Sequence, residues 1–405
     1  MMSENSNLHI SKKQKNDEFY TQYADIEAEM NAYVEYNSDV FRGKTVLLPC
    51  DDPEWSNFTK YFASNFERFG LKKLISTSYA KGAANKQLTL FEERSPLYDA
   101  KKHDTHGKLF VLTYDTDGSG NIDMDDIEFS GYLDGDGDFR SAEVCKLRDE
   151  ADIIITNPPF SLFREFLSWI LDGKKQFVIL GNMNAITYKE VFPFLKDNKI
   201  WLGYKSLNND MYFNVTDEYK QWLLLNKKEG SAYKIINGIV MGRLASACWF
   251  TNIDHGKRHE MLQLDTMKHN LKFNKKLRKK FENEYGKLEY PRYDNYDAIE
   301  VPFTECIPSD YDDVMGVPIT FLDKYNPEQF KILDITKAGA GNPASKIKEY
   351  PRQIQVDKNK KHSFVTKLND GADIVISTPS SGKTYYIVDN KMYIQTYPRI
   401  LIRHK

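Results

Sequence analysis

Asn157, Pro158, Pro159 and Phe160 are the residues of this 405-residue chain whose types and order most directly suggest chemistry. The amide oxygen of Asn157 accepts hydrogen bonds, and Pro158 adds a backbone carbonyl with no competing N–H beside it. Two acceptors held close together suit one planar NH2 group. Accepting both of its hydrogens draws the nitrogen lone pair out of conjugation and makes that nitrogen a better nucleophile. Phe160 supplies a flat face for a heteroaromatic ring, and the two prolines keep the group rigid. The chemistry indicated is reaction at an exocyclic amine or a primary amide.

These four residues need a scaffold, and the flanking sequence predicts one. Ile153, Ile154 and Ile155 are β-branched and apolar on both faces, as in a strand buried between layers of helix. Pro158 and Pro159 end pairing at Thr156 or Asn157. "FSLFREFLSWIL" then carries apolar residues at helical spacing. Asn157 is thus expected at the carboxyl end of a strand, where open α/β sheets place their ligands. Asp51 and Asp52 occupy a second such position, just past the strand "KTVLLPC". A carboxylate there suits an amino-acid ammonium group or ribose hydroxyls and repels a pyrophosphate. No glycine-rich phosphate loop follows, so the pattern fits S-adenosylmethionine better than NAD.

Further along, "EFYTQYADIEAEMNAYVEYN" and "EWSNFTKYFASNFERFG" read as helices, the second ending at Gly70, and "LKKLISTSY" as a strand. A polar stretch over 80–107 reads as loop. "KLFVLTY" and "IEFSGYLDG" are expected as strands around an Asp/Gly-rich turn. "QFVILGN", "KIWLGYK" and "ASACWFTNI" complete the strands, with a helix over "YKEVFPFLKDN". This alternation predicts a doubly wound, mostly parallel α/β sheet over 1–255. Beyond Gly256 the rhythm breaks into a separate α+β region, 256–405, that begins with the basic helix candidate "LKFNKKLRKKFENEYGK".

The bulk numbers bound the class. A chain of this length with 41% hydrophobic residues can build two or three cores. No apolar run approaches a membrane span and the N-terminus has no apolar signal core, so a soluble, cytoplasmic protein without a membrane partner is expected. Four dispersed cysteines read as reduced thiols, without zinc or disulfide spacing. From Gly256 onward there are 26 Lys and Arg against 20 Asp and Glu, a net of +6. Of the totals of 56 and 58, that leaves 30 against 38 before it, a net of −8. A basic back half suits a polyanion; a solvated surface is the plain alternative.

With these motifs in place, the chain resembles the EcoRI-type adenine-specific DNA methyltransferases. "NPPF" at 157–160 matches their catalytic motif. "DEFYTQY" at 17–23, with Phe19, Tyr20 and Thr21, is similar to the N-terminal motif that lines the methionine end of the cofactor. "CDDP" at 50–53 (Asp51, Asp52, Pro53) replaces the usual glycine-rich cofactor motif. "GDFRS" at 137–141 resembles the segment whose Asp138 and Phe139 hold the cofactor adenine. The second strand ends in "STSY", without the acidic ribose ligand of most methyltransferases. The resemblance implies a Rossmann-like catalytic domain over 1–255 and target recognition over 256–405.

It implies S-adenosylmethionine as cofactor, bordered also by Asn157, and no metal. Duplex DNA is the implied partner, with a separate cognate restriction endonuclease as an option. Adenine would be flipped out, stacked on Phe160 and held at N6 by Asn157 and Pro158 for direct in-line transfer. Tyr212, in "NNDMYF", stands where related enzymes place an aromatic beside the flipped base. The cluster Lys272, Lys275, Lys276, Arg278, Lys279 and Lys280 becomes a phosphate-contacting candidate. The same chemistry on protein glutamine or RNA, and a catalytically silent DNA-binding protein, are the rival readings. Cytosine N4 is a further possibility, because the same two acceptors could hold it.

Two other motifs are set aside. "DTDGSGNIDMDD", 115–126, has much of the EF-hand spacing (Asp115, Asp117, Ser119, Gly120, Asp123, Asp126) but ends in Asp and is flanked by strand-like sequence, so a hairpin turn is expected. "STPSSGKT", 377–384, lacks the first glycine of a nucleotide loop and runs into a strand, whereas a phosphate cradle needs a helix N-terminus. Lys383 is left as a possible DNA contact, and "KAGAGNP" reads as a loop.

Overall fold

The computed structural model describes residues 20–80, 95–207, 209–337, 345–379 and 382–405. The chain divides into two compact units. One comprises Met1–Met183 with Leu202–Gly256; the other comprises Asn184–Trp201 with Lys257–Lys405. The excursion over 184–201 therefore groups with the C-terminal residues.

The first unit opens with helix α1 (Tyr23–Tyr36), strand β1 (Thr45–Leu48) and helix α2 (Asn57–Ser64). Ser56 caps α2, its Oγ accepting from the N–H of Phe58 and of Thr59. A single further turn, Phe66–Phe69, ends at Gly70 in the left-handed region, as expected. Then follow β2 (Lys73–Thr77), β3 (Lys108–Leu112), β4 (Glu128–Tyr132), α3 (Ala142–Glu150), β5 (Ile153–Thr156), α4 (Phe163–Asp172) and β6 (Gln176–Asn182). After helix α5 (Phe192–Lys196) come β7 (Trp201–Leu202), β8 (Met211–Phe213), α6 (Asp217–Asn226), β9 (Tyr233–Ile236), β10 (Ile239–Leu244) and β11 (Ala247–Thr251).

The large sheet has eight strands in the order β4-β3-β2-β1-β5-β6-β11-β7. It is mixed, which corrects the expectation of a mostly parallel sheet. The pairings β2–β1, β1–β5 and β5–β6 are parallel, whereas β2–β3, β3–β4 and β6–β11 are antiparallel. Parallel pairing needs a long crossover. Strands β3 and β4 instead form a hairpin, and β11 follows β10 after a short turn. Every residue of β1 and β5 is buried, as strands covered on both faces must be. The predicted strand over 199–205 shrinks to Trp201–Leu202, because Gly203 sits against Glu29, where a Cβ would meet the carboxylate. The helix predicted over 188–198 shrinks to Phe192–Lys196, with Pro193, which has no N–H to offer an earlier turn, at its second residue. A second sheet, β8-β10-β9, was not foreseen. Its β9–β10 hairpin turns on Asn237-Gly238, both at positive φ.

The second unit carries helices α7 (Met267–Phe273) and α8 (Lys275–Lys280), then strands β12 (Ile299–Glu300), β13 (Met315–Pro318) and β14 (Phe330–Ile335). After these come β15 (Gln353–Val356), β16 (His362–Val365), β17 (Asp373–Ile376), β18 (Tyr385–Val388), β19 (Lys391–Gln395) and β20 (Arg399–His404). They form a four-stranded sheet, β12-β13-β20-β14, and a five-stranded one, β16-β15-β18-β19-β17. The expected single basic helix is broken at Asn274, whose side chain caps α8 through the N–H of Leu277. A buried pair, Arg399 to Glu300 (2.7 and 3.0 Å), ties β20 to β12, with the Tyr285 and Tyr293 hydroxyls donating to the same carboxylate. Around 377–384 the described residues lead directly into strand β18. The acidic loop 115–126 joins β3 to β4, as the hairpin reading expected. The "KAGAGNP" segment lies mostly outside the described residues. No helix among the described residues is long and apolar enough to cross a membrane.

Candidate active site

Because β1 and β5 are parallel neighbours, their carboxyl ends lie side by side, and each ends in one of the predicted site loops. Asp51 follows β1 and is buried, 8% exposed. Ser56 Oγ donates to its Oδ1 (2.7 Å) and Thr156 Oγ1 to its Oδ2 (2.6 Å). Its backbone carbonyl accepts from Thr59 Oγ1 (2.7 Å) and from Ser76 Oγ. Burial pushes the Asp51 carboxyl up to about 7, against the opposing pull of the Ser56 and Thr156 hydroxyls. Next to it, Cys50 is held at φ +65, a costly angle for a side chain with a Cβ. Its thiol is pushed up to about 12 by the surrounding protein and then by the carboxylates of Asp51, Asp138 and Asp136. Yet the residue is exposed.

Asn157 follows Thr156 directly and is half-buried, as is Phe160, which packs against the main core of the unit. Pro158 is buried and Pro159 half-buried. Before α4 the chain makes one tight turn, Phe160–Leu162, with the Leu162 N–H donating to the Pro159 carbonyl (2.9 Å). The Thr156 hydroxyl thus couples the Asp51 loop to the residue preceding Asn157. Ser56, Thr59, Ser76 and Thr156 were all missed in the sequence. Their only signal was the placement of small hydroxyls at strand and helix ends.

The N-terminal motif joins this region in part. Phe19 lies outside the described residues. Tyr20 pairs with Asn214, with reciprocal N–H···O bonds of 2.9 and 3.0 Å. This brings the motif to the end of β8, which carries Tyr212. Thr21 is 4% exposed and its carbonyl accepts from Asn57 Nδ2 (2.8 Å), at the start of α2. Thr21 Oγ1 is buried without a partner, as is Asn214 Oδ1. Tyr212 is half-buried opposite Arg243 on β10, with Lys234 Nζ 5.8 Å from its ring centre. Asp52 is half-buried and accepts from the Glu54 N–H (3.0 Å), and Pro53 is buried beside it.

The loop 134–139 lies against the end of β2, through the Ala80 N–H to the Asp136 carbonyl (2.8 Å). The Asp138 carboxylate is engaged by Arg140, whose Nε and Nη2 lie 2.9 and 2.6 Å from it. Phe139 is 4% exposed, packs edge-on to Phe166 (5.0 Å) and Trp169 (5.7 Å), and lies under the Arg140 guanidinium (5.3 Å). Gly137 makes the close approach possible: its φ is +86, and a Cβ would run into the Ser78 carbonyl oxygen. Gly137→Ala is expected to cost about 2–3 kcal/mol, read as a lowered urea midpoint at unchanged m. Gly118→Ala, at φ +76 with open space around it, should cost about 1 kcal/mol.

The six predicted phosphate contacts on α7 and α8 are largely engaged within their own unit. Lys276 lies 3.5 Å from Glu305 and over the Phe303 ring (3.9 Å), Arg278 pairs with Glu282 (3.9 Å) and Lys280 with Glu284 (2.7 Å). Lys383 reaches the same Glu284 (2.6 Å). Lys272 lies over Phe273 (4.9 Å), while Lys275 and Lys279 are exposed. In the acidic turn, the Asp115, Asp117 and Asp126 oxygens lie within 4.8 Å of one another. Asp126 already accepts from the N–H groups of Thr116, Asp117 and Asp123.

An α/β sheet with such a loop at the end of a buried strand has the architecture of a methyltransferase. A family model described as adenine-specific methyltransferase EcoRI matches residues 7–405. The chain is 43% identical over 333 residues to the type II methyltransferase M.EcoRI of Escherichia coli, across 82% of this chain and 90% of that one. It is 33% identical over 361 residues to M.MgeORF184P of Mycoplasma genitalium (89% and 92%) and 32% over 328 residues to M.MpnI of Mycoplasma pneumoniae (80% and 84%), both type II methyltransferases. No solved structure matches it. The chain belongs to the EcoRI family of adenine-specific DNA methyltransferases.

Proposed function

We propose that this enzyme methylates N6 of an adenine flipped out of duplex DNA, with S-adenosylmethionine as methyl donor, and that the second unit contributes target recognition. The observation that carries the reading is the Asn157-Pro158-Pro159-Phe160 loop at the end of β5, linked through Thr156 to a buried carboxylate at the end of β1. Asn157 Oδ1 and the Pro158 carbonyl accept the two amino hydrogens of N6, and Phe160 stacks against the base. The rigid loop presents these acceptors without reorganisation. The residues fit the cofactor's amino-acid end. Asp51 has no cationic partner among the described residues, which suits an ammonium group, and the orphaned Thr21 hydroxyl suits a polar neighbour. When bound, S-adenosylmethionine supplies an electrophilic methyl group. Asp52 and Asp138 are the remaining polar groups of the two cofactor loops, and Tyr212 is the proposed aromatic beside the base.

The test is purified enzyme with methyl-labelled cofactor against duplex DNA, RNA and a protein extract. Label in DNA as N6-methyladenine is expected. Label confined to protein or RNA, or found as N4-methylcytosine, ends this reading. Methylation-sensitive sequencing of DNA from expressing cells then supplies the recognition sequence, and a neighbouring endonuclease gene cutting that sequence would identify the restriction partner.

A further inference from the structure

We propose that the β15–β16 hairpin, Gln353–Val365, is a DNA-contacting ribbon in which Lys358, Lys360 and Lys361 hold phosphates and Phe364 meets base edges. This rests on the reading of the enzyme as acting on duplex DNA.

Three of the six cations on α7 and α8, Lys276, Arg278 and Lys280, pair with glutamates of their own unit. The hairpin cations are not matched. Lys358, Lys360 and Lys361 are exposed and have no ion-pair partner among the described residues, and His362 beside them is exposed too. The one acid in the loop, Asp357, is used locally. Its Oδ1 accepts from the N–H of Asn359 (2.8 Å) and of Lys361 (2.9 Å), while its backbone pairs with Lys360 and Lys361. Lys360 is held at φ +61. The tip is thus a turn clamped through Asp357, with its lysines exposed.

Below the tip the two faces of the ribbon differ. Val365 points inward, against the cluster of Tyr350, Leu368, Tyr386, Val388 and Tyr393. Phe364 therefore points outward, opposite Ile354, and is 84% exposed. Phe364 thus sets an apolar ring in water beside three lysines without an ion-pair partner among the described residues. It suits a partner that is anionic at its rim and apolar within. The DNA major groove is such a partner, wide enough for a two-stranded ribbon, flanked by phosphates and floored by base edges that include thymine methyls. β16 is also the edge strand of its sheet. Lysines there could merely guard the edge against pairing with other chains, and the experiment separates the two roles.

The probes are a duplex carrying the sequence found methylated in cells and one of equal length and composition lacking it. For the triple variant Lys358→Gln, Lys360→Gln, Lys361→Gln, weaker binding to both duplexes is expected. The slope of log affinity against log salt should flatten by roughly 2.7, or about 0.9 per cation removed. For Phe364→Ala, the slope should hold while preference for the methylated sequence falls about tenfold. Thermal unfolding of both variants should match the wild type, since all four side chains are exposed. If the wild type methylates the duplex and the triple variant keeps its affinity and slope, the lysines only guard the sheet edge and the hairpin assignment is overturned alone. If Phe364→Ala leaves the preference intact, its base contact is overturned. Failure of the wild type to methylate DNA overturns the functional reading, and this inference with it.

Discussion

Asn157→Ala is expected to lower kcat for adenine methylation by roughly two to three orders of magnitude, leaving DNA affinity within a few-fold of wild type. In the proposed reaction the amide oxygen meets the reacting nitrogen only through the hydrogens that N6 presents to it. Its loss therefore falls on the transition state, where the nitrogen gains positive charge and its hydrogens become stronger donors. Deleting one preorganised group of this kind typically costs about 3–4 kcal/mol. The proposed stacking on Phe160 and phosphate contacts are untouched, so binding is expected to persist. Single-turnover methylation and a DNA titration on the same preparation measure both quantities. An alanine variant that methylates at the wild-type rate would remove Asn157 from the chemistry.

Asp51→Asn carries the second large effect, in the pH dependence of cofactor binding. The folded-state value of the Asp51 carboxyl, about 7, stands well above the ordinary carboxylate range because of burial. The neutral acid is therefore favoured by folding. Its stabilising contribution is fully present below the unfolded value near 4 and is lost as pH rises through about 7. At about 1.4 kcal/mol per unit, that window spans roughly 4 kcal/mol. A cationic ammonium group binds the ionised form, so affinity for S-adenosylmethionine should climb up to tenfold per pH unit towards 7. It should then level off, and decline once the ligand amine itself loses its proton near 8. In Asp51→Asn the climb below 7 disappears, and at pH 7.5 affinity falls about 10- to 100-fold. Calorimetric titrations from pH 5.5 to 8.5 on both proteins test this. A parallel climb in the asparagine variant would place the ammonium elsewhere.

The two expectations share one structural cause. The Thr156 hydroxyl bridges from the strand before Asn157 to Asp51, 105 residues away in the chain. A change at either end reaches the other through this hydrogen bond, so the double variant should show less than additive losses.

Much of this site was legible in the chain itself. The three isoleucines and two prolines of 153–159 dictate where pairing stops, because branching and the missing N–H act through bonded neighbours. Gly70 marks a helix end for an equally local reason. What only the tertiary structure decided depends on which distant groups share a neighbourhood. The pairing of β1 with β5 set two strand ends side by side and gathered four hydroxyls around Asp51, with no periodic signal to announce them. The packing of Phe139 against Phe166 and Trp169 was likewise set by the fold. The lysines of α8 and of the β15–β16 hairpin look alike in sequence, but glutamates meet Lys276 and Lys280 on the helix, while none among the described residues meets those at the hairpin tip. Backbone preferences act within a few residues, whereas burial and charge pairing are settled by the whole fold.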